Sequence, residues 1–222
     1  MVIKSNLKDN TWEEVIYASE NNCIPSTWKV GDEIDLTLSG KYNETITLQI
    51  WDFKHFDKSD GTGRANILFG MKHLMKDREF MNPFYFNSGG WNNSYMKNVV
   101  MKNIYESIPE YIRNNIKEVK TEANRGGGSS SSQACTDKVF LPGFKELGWS
   151  GNYDGNQTKF PIFTNDNSRI KKLNNGSGED YWWWTRSPSY NYSYYFRHVR
   201  TGGGWNYSIA SGGHGVCVCF NI

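Results

Sequence analysis

The sequence predicts a single α+β domain, and three observations carry that prediction. Helical periodicity and a hairpin pattern fill the first half. Short strands set in Gly/Asn/Ser-rich loops fill the second. Nowhere do strands and helices alternate in the βαβ order of a parallel sheet. The length, 222 residues, suits one large domain. Aromatic residues make up 15%, with nine Trp, thirteen Tyr and twelve Phe, which argues against disorder despite a mean hydropathy of −0.68. A net charge of +2 gives no general reason to expect nucleic acid. No apolar run approaches the ~18 residues of a membrane span, and Met1–Asn10 has no apolar core of a Sec signal.

Thr11-Trp12-Glu13-Glu14 reads as a capping box, and Trp12, Val15, Ile16 and Ser19 follow at helical spacing. Ile34, Leu36 and Leu38, then Ile46, Leu48 and Ile50, alternate with polar residues on either side of Gly40 and Asn43, which predicts a hairpin. Ile67-Leu68-Phe69 is a third strand. From Ser94 the spacing of Met96, Val99, Val100 and Ile104 predicts a helix, and Ser107-Ile108-Pro109-Glu110 predicts the start of a second, carrying Tyr111, Ile112 and Ile116. Val139–Leu141 is strand-like, and further short strands are expected near 181–185, 196–200, 205–209 and 215–220. Arg125–Ser132 (RGGGSSSS) has linker composition, so 125–134 is expected to be a flexible loop within one domain spanning 1–222. Ala18, Leu36, Leu48, Val100 and Phe140 are expected to share one core.

Catalytic motifs are absent: there is no GxSxG, P-loop, HExxH or GxGxxG. His55–Gly63, with Asp57 and Asp60, partly imitates a calcium loop but lacks the closing Glu, so a solvated turn is expected and no metal or cofactor is assigned. The N-x-S/T triplets at Asn43, Asn92, Asn156, Asn175, Asn191 and Asn206 are expected to reflect Asn-rich loops. Cys23, Cys135, Cys217 and Cys219 fit neither a disulfide scaffold nor a zinc knuckle. Cys217 and Cys219 are expected on one face of a strand as free thiols with structural roles.

Most of the functional signal lies in 185–222. Thr185–Ile222 contains no Asp or Glu, and its only cations besides His are Arg186, Arg197 and Arg200. Tyr, Ser, Gly and Asn dominate it, a composition suited to recognition: Tyr gives rigid contact area, and the small polar residues adapt their hydrogen bonds. Tyr194 and Tyr195 are adjacent, so both cannot face a core. We therefore expect Tyr190, Asn191, Tyr192, Tyr194, Tyr195, Arg197, His198, Arg200, Trp205, Asn206, Tyr207 and His214 to form one exposed ligand-binding face. Lys, Glu, Gln and Met are missing from this segment. Random change at the adenines of Asn codons cannot produce any of these four, so the absence fits adenine-directed diversification. It fits a loop-rich surface equally.

Trp12-Glu13-Glu14-Val15, Lys29-Val30-Gly31-Asp32, Gly89-Gly90-Trp91 with Ser94, Pro109, Asp137–Leu141, Trp184-Thr185-Arg186-Ser187-Pro188 and the closing Gly215-Val216-x-x-x-Phe220-x-Ile222 stand in a familiar order. Together they resemble an uncharacterised domain family of gut bacteria and their phages, itself similar to the C-type-lectin-fold variable proteins of diversity-generating retroelements. The resemblance implies a C-type-lectin-like fold and binding, not catalysis. Trp183, Trp184, Arg186 and Val216–Phe220 would frame the site, with varied positions between Ser189 and His214. It implies a protein or glycan ligand, no nucleic acid, and display on a virion or cell surface. Two other readings are a structural module of a virion or surface assembly, and an enzyme like the formylglycine-generating enzymes using Cys217 and Cys219. Family members often carry Arg-Pro after the closing Gly-Val. Cys217 stands there in this chain, which removes an expected structural cation.

Overall fold

Thr11 and Glu14 close the capping box: Thr11 Oγ1 accepts from the Glu14 N–H at 3.3 Å, and the Glu14 carboxylate accepts from the Thr11 N–H at 2.8 Å. This starts α1 (Trp12–Glu20), which buries Trp12, Val15 and Ala18. The Trp12 indole donates to Asp35 O at 2.9 Å, tying the helix to the first hairpin. The computed structural model covers residues 1–222. In it β1 (Glu33–Thr37) and β2 (Thr45–Phe53) pair antiparallel, with Leu36 opposite Ile46, as their alternation requires.

β3 (Ile67–Met71) pairs with β2, and the main sheet runs β1-β2-β3-β10-β6. Here β6 is Val139–Phe140 and β10 is Cys219–Asn221, so the C-terminal strand lies between the third strand and the sixth. Gly70 leaves room for the Trp51 indole, which a Cβ at that position would overlap. Ala18, Leu36, Leu48, Val100 and Phe140 belong to one hydrophobic cluster, which extends across the whole chain as a single domain.

The helical middle differs from expectation. Met96–Met101 is π-helical and leads into α2 (Lys102–Ser107). Ser107 ends α2 and does not open the next helix: its hydroxyl donates back to Asn103 O at 2.8 Å. α3 (Glu110–Arg113) is a single turn after Pro109, and Ile116 lies beyond it, buried in the core.

β4 (Val119–Asn124) and β5 (Ser132–Asp137) form a separate hairpin around the Gly/Ser tract. The tract is thus shorter than 125–134, because Ser132–Ala134 are strand residues. Gly126 is fixed as well as turning: with φ +67 it is pressed against the Asn87 backbone, where no side chain fits. A third sheet, β7-β8-β9, comprises Trp183–Pro188, Tyr195–Val199 and Trp205–Ile209.

The expected 215–220 strand contracts to β10, leaving Cys217 outside it. The two thiols reach different carbonyls, Cys217 to Met71 O at 3.6 Å and Cys219 to Phe140 O at 3.3 Å. All four cysteines are free. His55–Gly63 is a turn whose Asp60 accepts from Thr62 and whose Asp57 pairs with Arg64. No group of three or more His, Cys, Asp or Glu is placed to hold a metal. No helix is long and apolar enough to cross a membrane.

Candidate binding face

Two buried ion pairs support the C-terminal sheet. Arg186, on β7, forms a two-pronged pair with Glu146 (Nη1 to Oε2 2.7 Å) and donates to Leu141 O at 2.9 Å and Glu122 O at 3.1 Å. Arg197, on β8, pairs with Asp154 and lies 4.3 Å from the Phe144 ring centroid. Burial pushes the Asp154 carboxyl up, and the Arg197 guanidinium opposes it. Thr185 Oγ1 donates to Arg197 O at 2.9 Å, locking the two strands together. These contacts tie β7 and β8 to residues 122–154, far away in sequence.

Over this frame lies a layer of rings. Tyr195 stacks on Tyr207 at 6.2 Å, and Tyr192 and Tyr194 approach Tyr195 at 5.5 and 4.6 Å. Trp205 lies edge-on to Tyr207 at 5.3 Å and to Phe144 at 4.9 Å. Tyr192 is 46% exposed and Trp205 39%. Asn191, Arg200 and Asn206 are exposed, and Tyr190 is half-buried against Tyr153 at 5.2 Å. The 190–194 turn is held by Asn87, which is fully buried. Its Nδ2 donates to Tyr192 O at 2.9 Å and Tyr195 O at 2.7 Å, while its Oδ1 accepts from the Gly127 N–H at 2.7 Å. One side chain thus clasps the Tyr-rich turn to the Gly/Ser tract.

Of the twelve expected face residues, Tyr190, Tyr194, Tyr195 and Tyr207 are half-buried and three are fully buried. Arg197 (2% exposed) is spent on Asp154, and His198 (1%) and His214 (7%) face the other side of the sheet. The reason is that β8 is the central strand and is covered on both faces, so alternation along it does not separate core from solvent. His198 stacks on Trp182 at 5.1 Å and lies 4.9 Å from His214, which packs on Trp184 at 4.4 Å. Burial, with each ring's charged neighbours adding to it, lowers His198 to about 3 and His214 to about 4. Both imidazoles are neutral at neutral pH.

The face also includes residues that the sequence reading missed. Phe84, Tyr85 and Phe86 are exposed by 63%, 52% and 47%, and Tyr85 meets Tyr194 at 6.4 Å. The overlooked signal is the one that exposed Tyr194 and Tyr195: three consecutive aromatics cannot all enter one core. Exposed Tyr153 adds to the same side through Tyr190.

Elsewhere, an open groove of about 630 Å³ runs along the β4–β5 hairpin, lined by His55, Lys97, Lys120, Glu122, Cys135 and Gln157 among others. Its one thiol is poorly suited to nucleophilic attack, because burial and the Asp137 charge push Cys135 up to about 11. Burial likewise raises Cys217, to about 11, and Cys219. A buried cation lies close to Cys217. The buried Lys171 ammonium donates to Met71 O, the carbonyl that also accepts from Cys217, and lies 5.2 Å from the Trp51 ring centroid.

Residues 66–222 match the model of a family described as a domain of unknown function (DUF6273), and the chain belongs to that family. The match takes in β3 and everything after it, including every residue of the aromatic face. No curated protein and no solved structure matches the chain.

Proposed function

We propose that the chain is a ligand-binding display protein with a C-type-lectin-like fold, similar to the variable proteins of diversity-generating retroelements. On this reading it recognises a protein or glycan on a target surface, from a virion or a cell, without catalysis. The observation that carries the reading is the layering of 185–222. Exposed Tyr192 and Trp205, with half-buried Tyr194, Tyr195 and Tyr207, rest on a frame whose cations, Arg186 and Arg197, are already neutralised by Glu146 and Asp154. Ring identities can change on such a frame without disturbing it, which is what a diversified surface requires. The protonated thiols of Cys135, Cys217 and Cys219 support binding over the enzymatic alternative.

The test is a screen of the immobilised protein against glycan arrays and bacterial surface proteins. We expect a saturable ligand whose affinity falls at least ~10-fold in Tyr192→Ala/Tyr195→Ala/Tyr207→Ala, because aromatic anchors dominate such interfaces. A ligand bound equally by that variant would remove the face from the function. Adenine-directed diversification has its own genomic test, a near-copy of the 3′ coding segment differing mainly at adenines and lying beside a reverse transcriptase gene.

A further inference from the structure

The outer edge of β9 has no strand beside it, since the sheet runs β7-β8-β9 and stops. Which backbone groups face outward follows from the register. Ala210 N–H donates to Tyr194 O at 2.9 Å, and Arg200 N–H donates to Gly204 O at 2.7 Å. Residues 204, 206, 208 and 210 therefore turn their backbone groups toward β8, because hydrogen-bonded pairs recur at every second position of an antiparallel ladder. Trp205, Tyr207 and Ile209 turn theirs outward. Only two of these outward groups have local partners: Tyr207 N–H donates to Asn206 Oδ1 at 2.9 Å, and Ile209 O accepts from Gly212 N–H at 2.9 Å.

Native sheet edges are ordinarily guarded by Lys, Pro, a bulge or a covering loop. β9 has none of the residue guards: Thr201–Gly213 contains no charged residue and no proline. Its sequence, Trp-Asn-Tyr-Ser-Ile, is instead symmetric in chemical class about Tyr207.

We propose that β9 pairs antiparallel with β9 of a second copy of this chain, about a two-fold axis through Tyr207. That pairing sets Trp205 opposite Ile209 of the other copy and Tyr207 opposite its counterpart, all on the aromatic side. On the reverse side it sets Asn206 opposite Ser208. Aromatic–β-branched, aromatic–aromatic and polar–polar pairs are the favourable cross-strand combinations, and no like charges meet. The outward backbone groups belong to 205, 207 and 209, the positions this register bonds. The axis stands perpendicular to the sheet, so both aromatic faces emerge on the same side of a continuous six-stranded sheet. Resting on the binding role proposed above, this makes the dimer bivalent toward a repetitive surface.

A five-residue edge buries well under the ~800 Å² per partner of a standard interface, so the dimer is expected to be weak, with Kd roughly 10–100 µM. Sedimentation equilibrium of the full chain without any ligand tests it, which keeps this result separate from the binding screen. We expect a monomer–dimer equilibrium between about 5 and 500 µM. Trp205→Lys/Ile209→Lys, which opposes like charges at both outer pairs, should weaken it at least ~10-fold. Trp205→Lys/Ile209→Glu, which opposes unlike charges there, should restore it to within ~3-fold of the unsubstituted chain. As a second measurement, Tyr207→Cys in a Cys23→Ser background should form an intermolecular disulfide under mild oxidation, since facing Cα atoms in a hydrogen-bonded pair lie ~5.5 Å apart. A monomer throughout that range with no crosslink, or equal dimerisation of the two charge variants, would overturn the proposal.

Discussion

The five-stranded sheet ends at β1, where Glu33 and Asp35 alternate with buried Ile34 and Leu36 and the Glu33 carboxylate holds the Lys72 ammonium at 2.9 Å. The three-stranded sheet ends at β9, which carries no charge. Their interiors differ in the same sense. The first sheet buries Leu48, Phe69 and Phe220, while the second buries Arg186, Arg197 and His198. A sheet stabilised by apolar area spreads its stability over many close contacts, because the hydrophobic effect is non-directional and scales with buried area. A sheet organised by buried ion pairs depends on a few bonds and leaves its outer layer free. The difference separates the residues that hold the C-terminal segment in place from those that cover its solvent side.

Among single substitutions, the largest expected effect comes from breaking that frame. Arg186→Ala strands the Glu146 carboxylate in the interior and should cost about 3–5 kcal/mol, as loss of one partner of a buried pair does. For a domain of this size that amounts to a Tm loss of roughly 10 °C or more, measured by calorimetry. An Arg186→Ala protein that melts with the unsubstituted chain would erase the contrast between the sheets.

Acid should act next, and on the three-stranded sheet first. His198 and His214 have folded pKa values of about 3 and about 4, below the ordinary 6.5. As pH falls below 6.5 the unfolded chain takes up these protons and the folded one does not, so stability is complete above that pH and declines toward pH 4. Each unit of depression corresponds to about 1.4 kcal/mol. Chemical denaturation at stepped pH should show this slope, and His198→Phe should flatten it. An unchanged slope in that variant would place the acid sensitivity elsewhere.

Thiol labelling sharpens the comparison without altering stability. Cys23 is exposed while Cys135, Cys217 and Cys219 are buried, so one thiol should react in the native protein and four after denaturation. Rapid native labelling of Cys219 would mean that β10 opens readily from between β3 and β6.

Where local rules govern, the sequence is readable. The Thr11 cap, the Leu36–Ile46 hairpin and the third strand follow from spacing alone, and the aromatic layer follows from composition and adjacency. What could not be read depends on distant partners. Asp154 and Glu146 are loop acids until the fold brings Arg197 and Arg186 to them, and nothing in their neighbourhoods marks them for burial. His198 is expected on the face because composition speaks for the segment as a whole, whereas β8 is its central strand and buries every residue from Phe196 to Val199. Ser107 resembled a helix cap because its type suits that role, whereas its hydroxyl satisfies a carbonyl one turn back.

The most direct test of the division between frame and face is one calorimetric comparison of two variants. Arg197→Ala leaves Asp154 unpaired at the centre of the sheet and should lower Tm by roughly 10 °C. Tyr192→Ala/Tyr207→Ala removes two rings from the solvent side and should lower it by no more than about 3 °C. If the double tyrosine variant loses as much as Arg197→Ala, those rings are core and the exposed face does not exist.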